Sequence, residues 1–179
     1  MSITIIATPG ASDANAFVTE AEQIAYMATR LNAFAWTTFT GSVCTEDEKR
    51  AMVEAARELS ARAWIGERAS ATQAQAWPRQ WATDPDSPWR WQYPASVVPQ
   101  RVKDAACELA FQFLNYGTTD VASADPTATV KRKRTGPLET EYFAPYNRPR
   151  GLARFDRVML LIAPLLSSGA GVVVRTQRS

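Results

Sequence analysis

Thr45 with Glu48 three residues on forms a capping box, in which hydroxyl and carboxylate each satisfy an N–H at a helix start. The residues that follow hold one apolar stripe, Met52, Ala55, Ala56, Leu59 and Ala63, at helical spacing. The opposite side carries Lys49, Arg50, Glu54, Arg57 and Glu58, and the acids of the first turn suit the helix dipole. A helix is therefore expected from 45 to about Trp64. Just beyond, at Gly66, the pattern stops. Residues 66–97 show no periodicity and contain Pro78, Pro85, Pro88 and Pro94 with Trp77, Trp81, Trp89, Trp91 and Tyr93. A long aromatic loop packed by its own rings is expected there, with one helical turn at 72–76.

The rest of the chain extends this helical reading. Thr19 and Glu22 form a second capping box, and Ala21, Ile24, Ala25, Ala28 and Leu31 predict a helix over 19–31. Phe34, Trp36 and Phe39 lie in the following loop and are expected to plug the bundle. Pro99 suits a first helical turn. Val98, Val102, Ala105, Ala106, Leu109, Ala110, Phe113 and Leu114 then predict the central helix, ending at Gly117. Residues 3–7 read as a short strand or an extended arm, and 118–129 as a weak segment. Residues 130–143 read as a two-stranded ribbon turning at Gly136-Pro137, with basic and acidic arms that offer cross-strand pairs. A short helix is expected over 153–166, then a tail whose Val172, Val173 and Val174 form a strand without an obvious partner.

The fold class is thus mainly α: a small bundle of three to four core helices, a β ribbon and an extended C-terminal arm. One domain is expected, divided into 1–129 (bundle and loop), 130–152 (ribbon and linker) and 153–179 (short helix and arm). No signal peptide is expected, since residues 1–6 lack a basic start and a long apolar run. Residues 158–166 are too few to span a bilayer and include Pro164, so no membrane span is expected.

Enzymatic chemistry finds little support. The chain has no histidine, which removes the commonest general base and His-activated nucleophiles. No Gly-rich phosphate loop is present. Glu139 and Glu141 share one side of a strand and resemble a metal or acid–base pair, but Lys131, Arg132, Lys133 and Arg134 lie upstream to neutralise them. Cys44 precedes a helix start, which could lower its pKa, yet it has no partner base and reads as structural. Cys107 falls on an apolar face and reads as a buried hydrophobe. No cofactor and no metal are expected.

The net charge of +2 is too small to imply nucleic-acid binding, although the C-terminal third is basic. Stacking is the serious alternative. Trp77, Arg79 and Trp81, and Trp89, Arg90 and Trp91, interleave rings with guanidinium groups, as single-strand binders do. The competing reading packs those rings against the bundle. The basic block likewise suits either phosphates or an acidic partner.

The run Ala63-Trp64-Ile65-Gly66-Glu67-Arg68-Ala69-Ser70 through Ala76-Trp77-Pro78-Arg79 resembles the small head–tail adaptor (connector) proteins of tailed bacteriophages, often labelled DnaT-like single-stranded-DNA-binding proteins. Asn15 to Thr19, Ala25-Tyr26, Trp36, Glu46 to Leu59, Val98-Pro99, Glu108-Leu109-Ala110, Gly136 to Tyr142 and Ala163 to Leu166 extend the resemblance along nearly the whole chain. It implies a helical bundle that assembles as a ring, typically a dodecamer, under the portal in the virion neck. Such a ring extends the channel for passing genomic DNA, without sequence readout, and carries a stopper or tail-completion protein. On this resemblance Val172, Val173, Val174 and Arg175 are expected to dock on the portal by β-augmentation. Lys131, Arg132, Lys133, Arg134, Glu139 and Glu141 are expected to contact a neighbouring subunit or line the channel. The tail after Leu166 is longer than the family pattern.

Overall fold

The computed structural model describes residues 2–117, 132–135, 138–141 and 151–167. Among the described residues four α-helices carry the fold: α1 (Glu20–Thr29), α2 (Glu46–Ser60), α3 (Gln100–Tyr116) and α4 (Asp156–Ile162). Two short antiparallel pairs accompany them: β1 (Glu67–Arg68) with β2 (Arg79–Gln80), and β3 (Arg132–Thr135) with β4 (Leu138–Glu141). The chain is mainly α, as its periodicities predict.

Both capping boxes form. Thr19 accepts from the Glu22 N–H while the Glu22 carboxylate accepts from the Thr19 N–H, and Thr45 and Glu48 do the same for α2. Helix α3 is the centre of the core, and α1, α2 and α4 all pack on it. Its stripe of Val102, Ala105, Ala106, Leu109, Ala110 and Phe113 is buried. Each large apolar side chain so removed from water contributes roughly 1.5–3 kcal/mol. The many alanines among α2 and α3 let the two axes approach closely.

Several local expectations change. Helix α2 ends at Ser60 rather than near Trp64, because the Trp64 indole N–H turns back to donate to the Leu59 carbonyl at 2.8 Å. Residues 72–76 form no helical turn; the Gln73 amide donates to the Gln75 carbonyl at 2.8 Å, and the Gln75 amide ties the segment to the distant Ala14 carbonyl at 2.9 Å. The segment 153–166 breaks into a 3-10 turn at Gly151–Arg154, α4, and a second 3-10 turn at Ala163–Leu165, where Pro164 ends the helical ladder. Trp36 plugs the bundle, but Phe34 does not, being 86% exposed, and Phe39 also faces solvent.

Residues 3–7 are an extended arm. Asn15 holds it like a strand partner: its Oδ1 accepts from the Ile6 N–H at 2.8 Å and its Nδ2 donates to the Thr4 carbonyl at 2.8 Å. The end of the described chain is paired too. The Ser167 N–H donates to the Ala63 carbonyl at 2.9 Å and the Ile65 N–H donates to the Leu165 carbonyl at 3.0 Å. Thus 165–167 lies antiparallel to 63–65, a partner that the valine-rich pattern beyond it gave no reason to expect. The expected strand at Val172–Val174, with Arg175, lies outside the described residues.

Candidate contact surface

The run from Ala63 to Gln80 folds into a buckle on the end of α2. Gly66 opens it at φ +69°, and a Cβ there would sit 2.3 Å from the Gln80 carbonyl oxygen, so only glycine fits. β1 and β2 close it, with Glu67 opposite Gln80 and Arg68 opposite Arg79. Inside, Arg79 donates to the backbone carbonyls of Ile65 (2.7 Å), Gly66 (2.6 Å) and Ala76 (3.2 Å). Burial pushes its pKa down from the ordinary arginine value. Arg68 donates to the carbonyls of Gln73 and Gln75. The Gln73 amide donates to the carbonyls of Gln75 (2.8 Å) and Pro78 (3.0 Å), and its oxygen accepts from the Ser70 N–H. Trp77 is 1% exposed, edge-on to Trp64 and Tyr93 with ring centroids 5.7 and 6.1 Å away.

Two of the six stacking candidates, Trp77 and Arg79, thus lie within the buckle. Trp77 belongs to the core, and the half-buried Arg79 guanidinium is occupied by backbone carbonyls. The run from Ala63 to Arg79 is a structural buckle.

The other four candidates come together on the next loop. Thr83 bridges Gln92, the Asp84 N–H donates to the Trp91 carbonyl at 2.7 Å, and the Tyr93 N–H donates to the Ala82 carbonyl at 2.9 Å. Within this clasp the Tyr93 hydroxyl donates to Asp84 at 2.9 Å. Burial and the Asp84 carboxylate together push that phenol up to about 12. The Ser87 hydroxyl accepts from the Trp91 N–H at 3.1 Å, and Asp86 ion-pairs with Arg101 at the start of α3. These bonds tie the loop together, yet they leave Trp81, Trp89 and Trp91 59%, 77% and 70% exposed, with Arg90 exposed among them. Trp81 and Arg90 also adopt φ of +56° and +53°. That left-handed backbone costs a non-glycine residue roughly 1–2 kcal/mol each.

The ribbon places the charged candidates in register. Arg132 stands opposite Glu141, Lys133 opposite Thr140, and Arg134 opposite Glu139. The expected pairing of basic and acidic arms is present in the backbone. Lys131 lies outside the described residues.

Two features escaped the sequence reading. Glu108 is fully buried on the core side of α3 and meets Arg30 from the end of α1. Its signal was a carboxylate inside an apolar stripe, which demands a buried cation. The second is a groove of about 730 Å³ between the N-terminal arm, α2 and the end of α3. It has no single-residue signature.

Cys44 and Cys107 are both buried. Burial, then the nearby Glu48 and Glu20 carboxylates, pushes the Cys44 thiol up to about 12, against any lowering by the helix start. Among the described residues, no three His, Cys, Asp or Glu side chains gather as a metal site, and no helix is long and apolar enough to cross a membrane.

The fold and this surface define a small helical protein with a bonded loop of exposed aromatic rings. Over residues 1–179 the chain matches the family described as "Putative DnaT-like ssDNA binding protein". It belongs to that family. Comparison with curated proteins and with solved structures found no match.

Proposed function

We propose that this protein is a structural virion component: a head–tail adaptor subunit that forms a ring under the portal, extends the DNA channel and carries a stopper or tail-completion protein. The observation that supports this reading best is the loop at 81–93. Trp and Arg side chains held in water are the composition of protein-binding hot spots. The backbone that carries them is already bonded across the loop, which lowers the cost of association. The resemblance of the buckle, helices and ribbon to adaptor proteins supplies the identity of the assembly. On this reading the chain acts by assembly and is no enzyme, and the tail at 169–179 docks on the portal.

A second reading, single-stranded-DNA binding, is favoured by the Trp89-Arg90-Trp91 triplet and by the family description. Electrostatics weigh against it. Single-strand binders line their stacking rings with a positive groove. Here residues 81–93 hold Asp84 and Asp86 against Arg90 alone, and the ribbon sets an acid opposite two of its cations.

Electron microscopy of the purified protein mixed with its portal tests the adaptor reading. A ring on the portal is expected, and chain lacking 169–179 should fold yet fail to join portal-bearing heads. No ring would overturn it. An oligonucleotide that quenches tryptophan fluorescence with a steep salt dependence would establish the second reading instead.

A further inference from the structure

We propose that Asp84 is the positioning residue of the Trp89-Arg90-Trp91 tip: it acts through the backbone, setting the conformation in which that tip meets a partner. The inference rests on the reading of this loop as a binding surface given above, and it names the residue on which the surface depends.

Residues 84–90 are two β-turns in series. The Ser87 N–H donates to the Asp84 carbonyl at 3.3 Å, and the Arg90 N–H donates to the Ser87 carbonyl at 3.2 Å. Each turn opens on a short polar residue followed by proline, Asp84-Pro85 and Ser87-Pro88, which are the positions those residues favour. Both opening side chains also accept from the backbone ahead: Asp84 Oδ1 from the Asp86 N–H at 3.0 Å, and Ser87 Oγ from the Trp91 N–H at 3.1 Å. Asp84 makes two further bonds. Its N–H donates across the loop to the Trp91 carbonyl at 2.7 Å, and its Oδ1 accepts from the Tyr93 hydroxyl at 2.9 Å. One residue therefore starts the first turn, closes the loop onto Trp91 and, through Tyr93, ties it to the buried Trp77 ring.

The tip needs such a holder. Trp89 and Trp91 are exposed, so their rings add little packing to the loop that carries them. Arg90 stands at φ +53°, a backbone that disfavours arginine and persists only where the surroundings determine it. The polar bonds that converge on Asp84 supply those surroundings. The Asp86–Arg101 pair is a weaker tie, since Asp86 is exposed. Without Asp84 a partner would have to order the loop on arrival, and affinity falls by that cost. An asparagine retains an Oδ1 that can accept from both the Asp86 N–H and the Tyr93 hydroxyl, so the position calls for an acceptor in that place and not for a charge.

Amide hydrogen exchange and portal binding, both measured on the full chain, test this. Asp84→Ala is expected to speed exchange at the Arg90 and Trp91 amides by about tenfold, as one or two lost hydrogen bonds would. It should weaken portal binding by about tenfold and leave the helical circular dichroism unchanged. Asp84→Asn should restore both readouts. Should Asp84→Ala misfold, Tyr93→Phe replaces it: it removes one bond, keeps the ring beside Trp77, and should speed exchange at the same amides. Alanine and asparagine equally impaired would overturn the proposal, because charge and not position would then matter. Asp84→Ala that exchanges and binds as wild type, while Trp89→Ala/Trp91→Ala loses the portal, would also overturn it and leave the binding reading standing. Portal binding unmoved by Trp89→Ala/Trp91→Ala would overturn the binding reading, and with it the role given to Asp84 in recognition.

Discussion

Arg30 meets Glu108 through two parallel hydrogen bonds, Nη2 to Oε1 at 2.6 Å and Nε to Oε2 at 2.7 Å, with the carboxylate fully buried. The guanidinium also stands 3.9 Å over the Phe111 ring. Gln112 donates to Oε1 and Arg157 lies 3.7 Å from Oε2. One carboxylate thereby ties α1 and α4 to α3. Burial raises its pKa, but the bonds from Arg30 and Gln112 outweigh that and hold it below the usual range.

Removing one partner leaves a charge in the core. Arg30→Met should destabilise the fold by about 3 kcal/mol. Arg30→Met/Glu108→Leu should recover most of the loss, since an apolar pair of similar volume is often neutral. Urea denaturation reads both, and equal losses in the single and double variants would refute the argument.

Glu48 sets the acid limit of stability. Burial raises its pKa, and the Thr38 hydroxyl with the N–H groups of Thr45, Thr37 and Thr38 more than offsets this, bringing it to about 2. The folded value lies below the ordinary 4.5, so the folded state holds fewer protons than the unfolded chain between the two. The stabilisation is therefore complete above the ordinary value and is lost as pH falls toward 2. In acid titrations followed by circular dichroism, Glu48→Gln should be less stable at neutral pH and should lose less than wild type below pH 4.5. Parallel curves would assign acid lability elsewhere.

Gly66→Ala should disrupt the buckle. Its Cβ would strike the Gln80 carbonyl at 2.3 Å and the Ala82 nitrogen at 2.8 Å, on a backbone at φ +69°. The strain alone is of order 1–3 kcal/mol, and backbone atoms cannot swing aside. A large fall in melting temperature is expected; an unchanged value would mean the strands open freely.

Both thiols should be silent in the native state. Cys44 is buried with its pKa near 12, and burial likewise raises Cys107. A thiol reagent at pH 8 should label neither until denaturant unfolds the chain. Rapid labelling of Cys44 in native conditions would show local opening at the α2 N-terminus.

How far these features could be read in advance depended on the range of the forces involved. Capping boxes and apolar stripes act within a few residues, so α1, α2 and α3 were legible almost to their ends. The ribbon was legible because Gly136-Pro137 separates arms of opposite charge. The early end of α2 was hidden, since it depends on Trp64 turning back to Leu59. Composition made Trp77 and Trp89 equivalent; only the tertiary buckle buries one and leaves the other in water. Arg79 and Arg90 differ in the same way, and Arg30 could not be paired with Glu108 at 78 residues' separation.

That division of the tryptophans carries the final prediction. Trp77 is buried against Trp64 and Tyr93, and truncating such a ring removes its burial and leaves a cavity. Trp77→Ala should cost about 3–5 kcal/mol and scarcely fold. Trp81, Trp89 and Trp91 lie mostly in water, so alanine at each should shift stability by less than about 0.5 kcal/mol. If the loop is a hot spot, those same variants should lose partner binding by tenfold or more, a loss above about 1.4 kcal/mol each. Stability and pull-down with the portal, measured on one set of proteins, separate the two roles. Exposed-loop variants that bind as wild type would leave the solvent-held rings without a function in assembly.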